Sequence, residues 1–178
     1  LRFRMSSSEN LPSTDILIGI GANLVPDGFA TPRGGCEAAI ARLPEVGIEI
    51  VHISGWFETA PVPLTDQPWF VNAVIAARTP LSMHETLQGL HRIEAEFGRV
   101  RMVRNEARVL DMDLLDFGGI RHEDDHITLP HPRMHQRAFV LLPLQDVAPD
   151  YVHPVSRSRI AELVASLPAD QMIRRMTD

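Results

Sequence analysis

Short apolar runs along this chain are separated by stretches of helical period and by turn-forming clusters. Residues 16–21, Ile-Leu-Ile-Gly-Ile-Gly, predict a buried strand that ends in a turn marked by Gly21 and Asn23. A short helix is expected over residues 34–43, stopped at Pro44. Residues 48–57 carry Ile48, Ile50, Val51 and Ile53, a β-branched set that predicts a second strand. Three prolines, at positions 61, 63 and 68, keep residues 60–68 from regular structure, so this segment is a loop. Residues 70–79 form a third strand, paired with the second across that loop as a wide hairpin.

Ser82 and Glu85 have the spacing of a capping box, which opens a helix. Leu87, Leu90, Ile93, Glu94 and Phe97 follow at helical intervals, and Gly98 closes the element. A fourth strand is expected over residues 109–117, with Gly118 and Gly119 as its turn. Helices are predicted over residues 132–142, with Pro132 in the first turn, and over residues 158–167. The order strand, helix, strand, strand, helix, strand is the split β-α-β arrangement of a ferredoxin-like fold. The expected class is therefore α+β, a mainly antiparallel sheet with helices on its faces and added C-terminal helices. Residues 1–14 read as a flexible tail and residues 15–178 as a single domain.

A net charge of -6 speaks against a protein that coats polyanions, and no apolar stretch suits a membrane span or a signal peptide. We therefore expect a cytoplasmic protein with neither nucleic acid nor membrane as partner, and take a monomer as the expected state. All 17 basic residues are arginine. Without lysine, neither a P-loop nor Schiff-base chemistry is available. The single Cys36 rules out an intramolecular disulfide and a cysteine-rich zinc site.

Arg99, Arg101, Arg104 and Arg108 lead directly into Asp111 and Asp113. Guanidinium forks match phosphate oxygens, whereas a solvated charged loop is the plainer alternative. On a strand, Asp111 and Asp113 share a face with Leu115 and Phe117, while Leu110, Met112 and Leu114 share the other. Their spacing along the strand is about 6–7 Å, so both can reach one Mg²⁺ or two neighbouring ones. Phe70 and Asn72 lie on one strand face, an aromatic and an amide suited to a flat heterocycle, although either phenylalanine, Phe70 or Phe139, could simply be core. His131 and Arg137 could reach a phosphate. His131 and His135 have the spacing of a zinc pair, but Pro130 and Pro132 set His131 ahead of a helix rather than on it.

These segments resemble the 6-hydroxymethyl-7,8-dihydropterin pyrophosphokinase family of folate biosynthesis. The resemblance runs from Leu17 to His153, through Gly19-Ile20-Gly21-Ala22-Asn23, Glu58-Thr59-Ala60-Pro61-Val62 and Asp66-Gln67-Pro68-Trp69-Phe70-Val71-Asn72. It continues through Gly98-Arg99-Val100-Arg101, Arg108-Val109-Leu110-Asp111-Met112-Asp113 and the segment from Leu129 to Val140. It implies transfer of the pyrophosphoryl unit of ATP to the hydroxymethyl oxygen of a pterin, with release of AMP. It further implies that Asp111 and Asp113 hold two Mg²⁺ ions bound with ATP, and that Arg99 and Arg108 close over the phosphates. By the same resemblance Glu94, Arg101, Leu114, Thr128, His131 and Arg137 would contact the nucleotide. Thr59, Val62, Phe70, Asn72 and Phe139 would hold the pterin.

The chain departs from the family pattern at three places. Asn105-Glu106-Ala107 stands where the family carries Trp-Gly-Pro, Ala22 where it carries serine, and Pro63 where it carries glycine. Two further readings accompany the resemblance: a catalytically impaired paralogue, and a metal-dependent phosphodiester hydrolase using Asp111, Asp113 and His131. A ferredoxin-like RNA-binding module stacking bases on Phe70 and Phe139 fits poorly with the net charge.

Overall fold

The first strand, β1 (Thr14–Ala22), divides its side chains between two layers. Ile16, Ile18, Ile20 and Ala22 enter one core, whereas Leu17 enters another on the opposite face. The computed structural model describes residues 12–61, 63–98 and 107–177. Within them β1 is followed by α1 (Pro32–Ile40), β2 (Glu49–Ile53), β3 (Phe57–Thr59), β4 (Phe70–Thr79), α2 (Met83–Glu96) and β5 (Asp111–Phe117). Then come a two-residue hairpin, β6 (His122–Glu123) and β7 (Thr128–Leu129), and α3 (Ala138–Val147), α4 (Ile160–Ala165) and β8 (Ile173–Arg175).

The main sheet runs β5-β1-β4-β3-β8, with β2 also paired to β4, and every pairing is antiparallel. Taking β2 and β3 as one interrupted strand, this is the ferredoxin-like arrangement, and the α+β expectation holds. The larger core lies between the sheet and α1 and α2, where Cys36, Ile40, Leu90 and Ile93 meet the even-numbered side chains of β1. The second core lies on the other face, beneath α3 and α4, and includes Leu17, Val74, Leu115, Leu141, Leu144 and Ile160. No helix among the described residues is long and apolar enough to cross a membrane.

Several boundaries follow from hydrogen bonds that a pattern of apolar positions does not reveal. Helix α1 starts at Pro32 because the Thr31 hydroxyl accepts the Gly34 N–H at 3.0 Å. The capping box of α2 forms as predicted, from Ser82 and Glu85. The strand expected over residues 48–57 is broken at Ser54 and Gly55. There the Ser54 hydroxyl takes the Val74 N–H and the Gly55 N–H turns to the Asp146 carboxylate.

The helix expected over residues 132–142 instead spans Ala138–Val147, preceded by a single 3₁₀ turn at Met134–Gln136. Its start is delayed because Arg137 is extended, at φ -110° and ψ 114°, which ends the 3₁₀ turn, and the Ala138 N–H is then taken by the Gln171 side chain at 2.8 Å. It runs through Pro143 because Leu141 and Leu144, both fully buried, anchor that turn against the sheet.

Strand β5 also departs from a strict alternation. The register with β1 slips between Leu17 and Ile18, so Leu115 is an extra residue in the ladder. Phe117 consequently joins the α1–α2 core, opposite the face on which period-two spacing would put it. Asp116 turns the other way and accepts the Tyr151 hydroxyl at 2.8 Å.

Candidate active site

Asp111 and Asp113 sit on β5 directly across from Gly21 and Gly19 of β1. On the far side of β1, Gly21 faces Asn72 of β4. The row Asp111–Gly21–Asn72 therefore has carboxylate and amide flanking a strand position without a side chain. At Gly21 a Cβ would lie 2.6 Å from the Asn72 Oδ1, so only glycine leaves the amide where it is. Asn72 is buried, and its Nδ2 donates to the Thr59 hydroxyl at 2.9 Å. Phe70 is half-buried at the start of β4, opposite Thr59. Phe139 packs against the Leu17–Val74–Leu115 core on the face that carries Asn72. The Arg137 guanidinium lies 5.3 Å from its ring centroid.

A second construction holds the approach to Asp111. Asn23 is buried at the end of β1, and its side-chain oxygen accepts the Arg108 N–H at 2.7 Å. Its amide donates to Gln67 Oε1 at 3.2 Å and to the Pro68 carbonyl at 3.1 Å. The Arg108 carbonyl in turn accepts the N–H groups of Asn23 and Leu24. One asparagine thus ties the proline loop, the end of β1 and the entry to β5 together. With its main chain pinned, Arg108 pairs its guanidinium with the Asp111 carboxylate. Below them Glu94, almost fully buried on α2, accepts the Met112 N–H at 2.9 Å.

The electrostatics are those of a site with excess negative charge at its floor and positive charge around it. The Asp113 carboxyl is pushed up to about 7, first by burial and then by the neighbouring Asp111, against the lowering influence of Arg137 and Arg108. Burial, followed by the Arg137 charge, drives the His131 imidazole down to about 4, so this ring is neutral near pH 7. Arg137 is itself lowered by burial, and Arg133 adds a further positive charge beside it. A pair of adjacent carboxylates of which one resists ionisation fits a hard divalent cation, which would remove their repulsion.

Of the predicted residues, Thr59, Phe70, Asn72, Arg108, Asp111, Asp113, Arg137 and Phe139 belong to one sheet face and its end. Thr128 on β7 and His131 line an adjoining groove of about 420 Å³. Leu114 faces the α1–α2 core, and Glu94 approaches from that same layer. Arg99, Arg101 and Val62 lie outside the described residues. For His131 and His135, the ring of His135 packs edge-on against His153 at 5.4 Å. The His131 Nδ1 accepts the Arg133 N–H at 3.2 Å. Sequence reasoning took Gly21 and Asn23 as turn markers, placed Gly19 and Arg133 only within the segments of the resemblance, and gave none of the four a role in the site. The Gly-x-Gly spacing inside β1 was the available signal, since glycine within a strand marks a close approach.

The chain matches the profile of the 7,8-dihydro-6-hydroxymethylpterin-pyrophosphokinase (HPPK) family over residues 17–149. It is 38% identical over 149 residues to the 2-amino-4-hydroxy-6-hydroxymethyldihydropteridine pyrophosphokinase of Synechocystis, covering 83% of this chain and 73% of that protein. To the protein of the same name from Methylorubrum extorquens it is 39% identical over 154 residues, covering 86% of this chain and 94% of the other. Among solved structures, wild-type HPPK-DHPS of Plasmodium falciparum superimposes with a TM-score of 0.68 at 16% identity. That overlap takes in 89% of this chain and 42% of the Plasmodium chain, and it is a likeness of fold. The chain belongs to the HPPK family.

Proposed function

We infer that the chain transfers the β,γ-pyrophosphoryl group of ATP to the hydroxymethyl oxygen of 6-hydroxymethyl-7,8-dihydropterin in folate synthesis, releasing AMP. Family membership supports the reaction. The observation that carries it to particular residues is the row Asp111–Gly21–Asn72, which sets a carboxylate pair beside a buried amide across the glycine positions of β1.

The pterin hydroxymethyl oxygen attacks the β-phosphorus, the bond from that phosphorus to the α-phosphate oxygen breaks, and the oxygen leaves with AMP. The hydroxyl proton passes to solvent or to a phosphate oxygen. Such a transfer needs alignment and charge neutralisation more than covalent assistance from the protein. Asn72, oriented by Thr59, reads the edge of the pterin, and Phe70 and Phe139 enclose its faces. Arg108 and Arg137 neutralise phosphate oxygens, with Arg99 and Arg101 as further phosphate-contacting residues. His131, neutral near pH 7, offers a ring nitrogen to the nucleotide without adding charge. Thr128 lies beside it.

Asp111 and Asp113 would hold Mg²⁺, two ions in this reading. When bound, the metal withdraws charge from the phosphate oxygens and from the attacking hydroxyl. The reading extends to a monomeric cytoplasmic enzyme whose partners are ATP and the pterin.

Incubation with ATP, Mg²⁺ and 6-hydroxymethyl-7,8-dihydropterin should yield AMP in step with the pterin diphosphate. Asp113→Ala should abolish that yield while the protein stays folded by circular dichroism. Folded wild-type protein that releases no AMP would overturn the reading, and full turnover by Asp113→Ala would remove the metal assignment.

A further inference from the structure

Away from the sheet face described above, three side chains converge where the β6–β7 hairpin meets the start of α2. His84 is in the first turn of α2, His122 is on β6, and Asp124 is in the turn between β6 and β7. The His84 Nε2 lies 2.7 Å and the His122 Nε2 2.8 Å from the same oxygen, Asp124 Oδ2. One donor atom from each of the three residues falls within 4.8 Å of the others. The imidazoles meet edge to face, with centroids 5.8 Å apart, so their nitrogen edges converge instead of their ring faces stacking.

We propose that His84, His122 and Asp124 form a binding site for a borderline transition-metal ion, Zn²⁺ in the first instance, which fastens the β6–β7 hairpin to the N-terminus of α2. Two imidazole nitrogens and a carboxylate oxygen are a set suited to zinc, with water in the fourth position. Tetrahedral ligands about 2.0–2.1 Å from zinc lie roughly 3.3 Å from each other. The two Nε2–Oδ2 separations therefore need to open by only about half an ångström for an ion to enter. For an ion to take Nε2, each neutral ring must carry its single proton on Nδ1, the tautomer opposite to the one that donates to Asp124.

The carboxylate is already oriented for this role. Asp124 Oδ1 accepts the N–H groups of His126 and Ile127, at 2.8 and 2.9 Å, which leaves Oδ2 turned toward both rings. A cation beside a helix N-terminus opposes the helix dipole. Asp124 and the adjacent acidic Glu123 and Asp125 offset that cost. The site is distinct in kind from Asp111 and Asp113: hard oxygen ligands favour Mg²⁺, whereas imidazole favours zinc, nickel or copper. Thr128 ends the same hairpin, so a staple here would fix the strand that leads to His131.

The test is a Zn²⁺ titration of the full chain in a large excess of Mg²⁺, followed by calorimetry and by the melting temperature. One equivalent should bind to wild type and raise its melting temperature. His84→Ala, His122→Ala and Asp124→Asn should each weaken that binding by at least about 100-fold, since loss of an outer-shell partner alone costs 10–100-fold. They should also lose the thermal shift, and His84→Ala and Asp124→Asn, outside the groove that His122 shares with Thr128 and His131, should keep wild-type AMP release in the absence of zinc. His135→Ala, which alters the separate His135–His153 pair, should retain the site. Wild type that takes up no zinc, or zinc binding unchanged in the three variants, would overturn the proposal. So would binding that vanishes in His135→Ala.

Discussion

Replacing Asn23 by alanine isolates the side chain that joins the proline loop to the entry of β5. The substitution removes three hydrogen bonds: one accepted from the Arg108 N–H and two donated, to Gln67 and to the Pro68 carbonyl. They are unequal. Gln67 is half-buried and Pro68 exposed, so water can replace the amide at both. The Arg108 N–H is a main-chain donor of a half-buried residue whose carbonyl is bonded as well, so it has less freedom to turn to water, and leaving such a donor unsatisfied costs about 1–3 kcal/mol. With somewhat less than 1 kcal/mol for each solvated partner, the total is about 2–4 kcal/mol. For a domain of this size that lowers the melting temperature by roughly 5–15 °C. Activity should fall further than stability, because Arg108 and Asp111 lose their common anchor, and a displacement of about 1 Å can cost 100-fold. Gln67→Ala removes the solvated partner of the Asn23 amide and should shift melting less than Asn23→Ala does. Scanning calorimetry and kcat/KM on the three proteins decide the matter. If Asn23→Ala melts with wild type and keeps its kcat/KM, the anchor has no energetic role.

Gly21→Ala should raise the KM for the pterin by at least about tenfold, because its Cβ lies 2.6 Å from the Asn72 oxygen and must displace the amide. Gly19→Ala, whose Cβ would touch the Leu115 methyls at an ordinary 3.5 Å, should melt close to wild type; equal KM values in both would refute the close-approach argument. Two titrations of opposite sign should appear in metal-free protein. Asp113, raised to about 7, binds more protons folded than unfolded, so its contribution to stability declines as pH rises through about 4 to 7. His131, lowered to about 4, binds fewer when folded, so its contribution rises over about pH 4 to 6.5, by at most roughly 3 kcal/mol. Urea unfolding across that range should show stability rising with pH in Asp113→Asn, where only the His131 contribution remains, and falling with pH in His131→Gln; parallel curves for both variants would contradict the assigned causes. Finally, changing Asn105, Glu106 and Ala107 together to Trp, Gly and Pro should increase kcat/KM, since it removes the Glu106 charge next to the arginine run; a decrease would mean that the native segment serves this enzyme better.

The parts of this molecule that were legible in the sequence are those whose reasons are local. The capping box of α2 needs only Ser82 and Glu85, three residues apart, and the shared face of Asp111 and Asp113 needs only strand periodicity. Where a distant partner decides, the reading failed or was silent. Phe117 changed sides because a bulge at Leu115 depends on the register with β1, about a hundred residues earlier. The helix expected from Pro132 began at Ala138, after an extended Arg137, where the first N–H is taken by the Gln171 side chain 33 residues further on. Asn23 shows the same division within one side chain. Its place after Gly21 announced a turn, but its partners are 44, 45 and 85 residues away. The strand end, the proline loop and the entry to β5 are separated in the sequence by whole elements, and one buried amide has the donors and the acceptor to satisfy all three. Chemistry carried by the candidate site could therefore be proposed from spacing, whereas the rigidity that aims it arises only where distant segments meet.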